Sequence, residues 1–204
     1  MEEAPDGAEV PRPAATVIVA RPGAEGVEVL VLRRGSKSRF LAGYIVFPGG
    51  AVDPGDRELA RLWFADEGES SRACAVRELI EEAGLALTAE GLSDAGDNED
   101  DMAAVSNAPP APEALHQISH WIAPEEVPVR FDARFFAVAA PAGLTPRPDG
   151  HEAEEVWWAR PADVLADFEA GRCELYWPTL KTMEALALCG TVEQILDLDL
   201  PQVD

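Results

Sequence analysis

The chain has 204 residues, 47% of them hydrophobic and 26% charged, and it carries a net charge of −22. That length suits one domain with a full core. The charge argues against nucleic acid or an anionic membrane as a partner, because the field of the whole molecule would repel both.

Residues 1–14 read as a flexible tail containing Pro and Ala. Two strand-like runs follow, Thr16 to Ala20 and Val27 to Leu32, joined by RPGAEG as a hairpin turn. Tyr44 to Phe47 is a further short strand, stopped by Pro48-Gly49-Gly50. Asp56 to Phe64 has helical spacing of apolar residues, with Asp56 as its N-cap. Glu69 to Ala83 is the strongest helix signal. Ala73, Val76, Leu79 and Ile80 form its apolar stripe, and Gly84 stands where a C-terminal cap belongs. Residues 89–114 are acidic and then rich in Pro and Ala, which predicts a long mobile loop with at most a helical turn. Strand signals return at Gln117 to Ile122, Ala133 to Ala139 and Val156 to Ala159. The chain then reads as helical over Pro161 to Ala170, Thr179 to Leu188 and Val192 to Leu198.

This order predicts an α/β protein: a single domain over 15–200, layered α/β/α around a mixed sheet. No apolar run approaches the roughly 18 residues of a membrane span, and the acidic opening lacks the layout of a secretory signal. Cys74, Cys173 and Cys189 are odd in number and unevenly spaced, as reduced thiols in a cytoplasm would be.

The chemistry concentrates in Arg77-Glu78-Leu79-Ile80-Glu81-Glu82-Ala83-Gly84-Leu85. A helix turns about 100° per residue, so Glu78, Glu81 and Glu82 share a face. Three carboxylates held together repel one another, and a hard divalent cation removes the repulsion. Oxygen ligands of this kind suit Mg2+ or Mn2+, which can also bridge phosphates. An acidic pair on a helix is ordinarily just a solvated face, so the meaning rests on the whole string.

That string, Glu69 to Leu85, resembles the Nudix box, Gly-x5-Glu-x7-Arg-Glu-U-x-Glu-Glu-x-Gly-U with U aliphatic, at every fixed position from its first Glu onward. The box's leading glycine position holds Trp63 instead. Its counterpart is the pair Gly49-Gly50, with eighteen residues between Gly50 and Glu69, an insertion over about 51–68 that carries the Asp56–Phe64 helix. The resemblance implies a Nudix-type fold and a metal-dependent diphosphatase cleaving a nucleoside diphosphate linked to another group. Glu78, Glu81 and Glu82 match the metal-ligand positions, with Arg77 and Glu69 in supporting catalytic positions. The general base is left between Glu78 and a downstream glutamate. Glu152, Glu154 and Glu155 lie where some relatives supply one, and a solvated acidic turn explains them equally well.

Upstream, Leu30 to Gly50 is similar to a coenzyme A diphosphatase signature: Arg34, Arg39, Gly43 and Phe47-Pro48-Gly49-Gly50 align, while Val31, Leu32 and Gly35 depart. By that likeness Arg34, Arg39, Gly49 and Gly50 would bind substrate, the arginines meeting phosphate through charge-assisted bonds. A basic turn kept for solubility is the plainer reading of the arginines. The implied substrate is coenzyme A or acyl-CoA, giving 3′,5′-ADP and a phosphopantetheine. The alternatives are another nucleoside diphosphate derivative (NADH, ADP-ribose, a dinucleotide polyphosphate) or a nucleotide-sensing module without catalysis. Homodimers occur in such families. Arg130 and Arg134 could add phosphate contacts, and Phe135, Phe136, Trp157 and Trp158 are core or pocket wall.

Overall fold

The computed structural model describes residues 10–36, 38, 41–94, 98–127, 129–148, 150 and 152–201. Strands β1 (Arg12–Gly23) and β2 (Gly26–Arg34) form the expected hairpin, but they pair only near its turn, from Ala20↔Val29 to Gly23↔Gly26. Beyond that the two strands splay, and the next segment fills the gap. Strand β3 (Ile45–Val46) pairs with β2, and β4 (Gly49–Ala51) pairs with β1 through Ala15↔Gly50 and Thr16↔Gly49. The Val17 N–H donates to the Pro48 carbonyl at 2.9 Å, closing the wedge. The sequence reading stopped this strand at Pro48-Gly49-Gly50; the structure instead makes Gly49–Ala51 a strand in its own right.

Strands β7 (His116–Ile122), β8 (Phe131–Ala139) and β9 (Ala153–Ala159) complete a seven-stranded sheet of order β3-β2-β1-β8-β7, with β4 on β1 and β9 on β2. Among these, β1 and β8 run parallel and the other pairs antiparallel, so the sheet is mixed. Strand β1 is buried on both faces. Ala15, Val17 and Val19 pack to one side, and Ile18 and Ala20 to the other. Burial on both faces explains its near-continuous apolar run. Helices α1 (Pro54–Phe64), α2 (Ser70–Ala83) and α3 (Asn98–Asn107) cover the first face. The second is covered by α4 (Pro161–Glu169), α5 (Trp177–Leu186) and α6 (Val192–Leu196). The result is the expected α/β/α sandwich.

Three local readings need correction. Strand β1 begins at Arg12 inside the expected tail, because Arg12 to Ala14 find partners at Phe131 to Ala133. Asp53, not Asp56, caps α1. Its side chain accepts from the Gly55 and Asp56 N–H groups at 2.7 and 3.3 Å, and Asp56 answers by accepting from the Asp53 N–H at 2.9 Å. This is a capping box, with Pro54 at the first helical position. The stretch 89–114 is no simple loop: β5 (Leu85–Thr88) turns into β6 (Gly91–Asp94), and α3 follows. Gly91, at φ 106°, supplies the turn that other residues resist. Val105 is buried in the core beside α2, and Trp63 Nε1 donates to Ser106 Oγ at 3.1 Å, which ties α3 to α1.

Candidate active site

Helix α2 places the site. Residues 71, 75, 78 and 82 recur at turn spacing and are all buried, so Glu78 and Glu82 lie on a buried stripe that most sequences fill with apolar groups. Ile80, Ala73 and Val76 pack into the core, as their periodicity predicts. Gly84, at φ 61°, ends the helix with its N–H on the Ile80 carbonyl at 2.9 Å.

The wedge of β3 and β4 meets this buried stripe. The Gly49 N–H donates to Glu82 Oε2 at 2.9 Å. A Cβ on Gly50 would stand 2.1 Å from Glu78 Oε1, and one on Gly49 would stand 2.5 Å from the Ala15 carbonyl oxygen. Both positions therefore need glycine for close approach, one to a carboxylate and one to backbone. From the far end of β2, Arg34 Nη1 comes within 3.8 Å of Glu82 Oε1. Arg34 and Gly49 thus meet Glu82, and Gly50 lies against Glu78. Arg39 lies outside the described residues.

Arg77 organises the acidic side chains. Its Nε and Nη2 grip Asp56 at 2.8 and 3.0 Å, and its Nη1 meets Glu78 Oε1 and Glu81 Oε2, each at 2.8 Å. Asp56 is fully buried, so this is a bidentate, desolvated pair. The sequence reading offered Asp56 only as a cap. Its role became visible only when the insertion was seen to dock α1 against α2. Glu69 is not part of this cluster: it ion-pairs with Arg72, whose guanidinium lies 5.1 Å from the centre of the Phe136 ring. Arg77 neutralises Asp56 and the neighbouring carboxylates, not Glu69.

Burial pushes the Glu78 carboxyl up to about 7, with Arg77 opposing and Glu81 and Glu152 adding to the rise. Burial and then the neighbouring Glu78 push Glu82 up to about 8, against the Gly49 N–H and Arg34. Of the three downstream glutamates, Glu152 therefore acts electrically on both. Glu154 instead accepts from Ser36 Oγ at 2.8 Å, and Glu155 pairs with Arg33 at 3.0 Å.

Among the described residues no three His, Cys, Asp or Glu side chains converge in ion-binding geometry. Arg77 lies between Glu78 and Glu81, and Glu82 turns toward Gly49. Glu82 Oε1 is nevertheless buried without a hydrogen-bond partner. An orphaned carboxylate oxygen beside a second buried carboxylate is a donor set that fits a hard divalent cation.

Next to these groups a cavity of about 510 Å³ opens on the other face of the sheet. Its walls include Phe47, Trp121, Phe135, Tyr176 and Trp177, and Arg34, Gly49 and Gly50 stand at its edge. Arg34 is the one charged residue lining it among those described. Arg130 and Arg134 do not line it; Arg130 Nε donates to the Ala123 carbonyl at 3.0 Å. Of the aromatic residues expected as core or wall, Phe136 is core and Phe135 is wall. A second cavity, of about 470 Å³, holds Trp157 and Trp158 but also Glu25, Glu28, Asp163 and Asp167, and its acidic lining disfavours phosphate.

Residues 10–176 match the family model of the NUDIX domain, and the chain belongs to that family. Nudix hydrolases act on diphosphate bonds of nucleoside diphosphate derivatives and generally use divalent metal ions. A NUDIX hydrolase from Alicyclobacillus acidocaldarius is similar at 32% identity and a TM-score of 0.81, covering 94% of this chain and 98% of that one. Putative nudix hydrolase 7 of Caenorhabditis elegans is 28% identical over 93% of this chain, which spans 63% of that protein's length. The NUDIX domain of Shewanella oneidensis NrtR, solved with ADP ribose, shares the fold at 15% identity and a TM-score of 0.56, over 89% of this chain and 90% of that one. No helix among the described residues is long and apolar enough to cross a membrane.

Proposed function

We propose that the chain is a diphosphatase dependent on Mg2+ or Mn2+ that acts on coenzyme A or acyl-CoA. Its products are 3′,5′-ADP and the (acyl-)phosphopantetheine. The observation that carries this reading is Arg34, standing between the buried Glu82 and a largely apolar cavity. A cation at that junction neutralises phosphate, while the aromatic and aliphatic walls accept the uncharged parts of a large substrate.

Glu78, Glu81 and Glu82 would hold the cation, which when bound supplies positive charge to the diphosphate and an acidified water. The chain's own residues do the rest. Arg77 holds Glu78 and Glu81 in place from the α1 side, and the Gly49 N–H fixes Glu82. Hydrolysis adds a water oxygen to one phosphorus as the bridging P–O bond breaks, and the bridging oxygen leaves with the other phosphate. The proton of that water passes to Glu78, whose carboxyl burial pushes up to about 7, or to Glu152. The three cysteines are unpaired, which supports residence in the cytoplasm.

Turnover of coenzyme A, NADH, ADP-ribose and diadenosine polyphosphates, measured side by side with each metal, tests the substrate. The expected result is the highest kcat/KM for coenzyme A or an acyl-CoA. A preference for any other member of the panel overturns the coenzyme A reading and leaves the diphosphatase in place.

A further inference from the structure

Helix α5 begins in the wall of the large cavity. Tyr176, Trp177, Pro178 and Thr179, its cap and first turn, all line that space. The first N–H groups of any helix lack intrahelical partners and must be satisfied otherwise. Helices α1 and α6 satisfy theirs with the side chains of Asp53 and Thr191. Helix α5 has no side-chain cap and no acidic residue in its first turn, in a chain with 38 Asp and Glu. Its Leu180 N–H returns to the Tyr176 carbonyl at 2.9 Å, and among the described residues no such bond is made by the N–H of Trp177 or Thr179.

A second, independent feature lies at the same place. Thr179 is 7% exposed, and its hydroxyl makes no hydrogen bond among the described residues. That oxygen is not among the buried, sealed-off polar atoms, whereas the hydroxyl of Thr182 one turn on is. Thr179 lines the large cavity. A hydroxyl and two N–H groups without partners among the described residues thus belong to residues that line one space, at the positive end of a ten-residue helix. No described carboxylate lines the cavity.

We propose that the N-terminus of α5 is a second anion site of the substrate cavity. It would hold an anionic oxygen, a phosphate monoester or carboxylate, carried by the substrate away from the diphosphate that is cleaved. Thr179 Oγ1 and the N–H groups of Trp177 and Thr179 donate to it. The proposal rests on the cavity being the substrate site and holds whichever diphosphate is cleaved. With coenzyme A, the group would be its ribose phosphate.

The test is a titration of inorganic phosphate into the cation-free full chain, followed by NMR shifts of the Thr179 and Trp177 amides. The Gly49 and Gly50 amides report separately on the Arg34 end. The expected result is a saturable shift at Thr179 and Trp177, with affinity reduced about tenfold or more in Thr179→Val and recovered in Thr179→Ser. Adenosine 3′,5′-bisphosphate should then bind more tightly than AMP, and that advantage should vanish in Thr179→Val; an equal gain from a carboxylate probe would identify the other source of the anion. Shifts confined to Gly49 and Gly50, or equal affinity in wild type and Thr179→Val, overturn the proposal. Loss of coenzyme A preference in the turnover panel, with the Thr179 shift intact, would instead remove only the substrate reading.

Discussion

Asp56 and Arg77 are the pair on which the arrangement of the acidic helix depends. Asp56 is fully buried and its two oxygens are both taken by Arg77, so removing either partner leaves a desolvated charge. Asp56→Ala is expected to lower stability by about 3–5 kcal/mol, measured by urea unfolding. A loss below about 1 kcal/mol would show that the pair is solvated after all. Gly50→Ala forces a methyl group against Glu78 Oε1, a contact of 2.1 Å before anything moves. It should cut turnover strongly while shifting the unfolding midpoint little, because the atom displaced is the end of a side chain. Glu78, Glu81 and Glu82 were legible because a helix converts a spacing of three and four into a common face. Asp56 was not legible in the same way. Its partner lies twenty-one residues away, and no local pattern announces a bidentate contact between two helices.

At the scale of elements, helix and strand existence followed from periodicity. Helix α2 could be read within a residue of its ends because an apolar stripe, a terminal glycine and a charged face all agree there. Strands β4, β5 and β6 and helix α3 went unread, β4 and α3 for distinct physical reasons. Strand β4 consists of two glycines and an alanine, and it owes its state to the splayed edge of β1, a tertiary partner that propensity does not report. Helix α3 buries too few apolar residues for a periodic signal and carries Glu99, Asp100 and Asp101 in its first turn. The insertion that separates Gly50 from α2 emerges as a brace, since it delivers Asp56 to Arg77 from a helix whose start is fixed by Asp53. Asp53→Ala should therefore cost about 1 kcal/mol of stability and, through the looser brace, lower kcat more than it raises KM. Steady-state kinetics beside a thermal melt would check this, and an unchanged kcat would contradict it.

Over the whole molecule, a net charge of −22 surrounds a site whose two buried carboxyls resist ionisation. The unfolded chain releases the Glu78 and Glu82 protons near the ordinary value of 4.5, and the folded chain keeps them to about 7 and about 8. Unfolding between those limits releases protons, so the stability of the cation-free protein should fall as pH rises from about 5 to about 8. Thermal melts in chelator should show that decline, and Glu82→Gln should make it shallower. An identical slope in wild type and variant would mean that Glu82 ionises freely. Addition of Mn2+ at pH 8 should restore the wild type far more than the variant, since binding requires the ionised form. The most direct test of the account as a whole is diphosphate hydrolysis by Glu81→Gln and Glu82→Gln, measured with Mg2+ and Mn2+ on the best substrate of the panel. Both variants are expected to fold and to lose activity by orders of magnitude. Activity close to that of the wild type in both would contradict the assignment of the chemistry to the acidic face of α2.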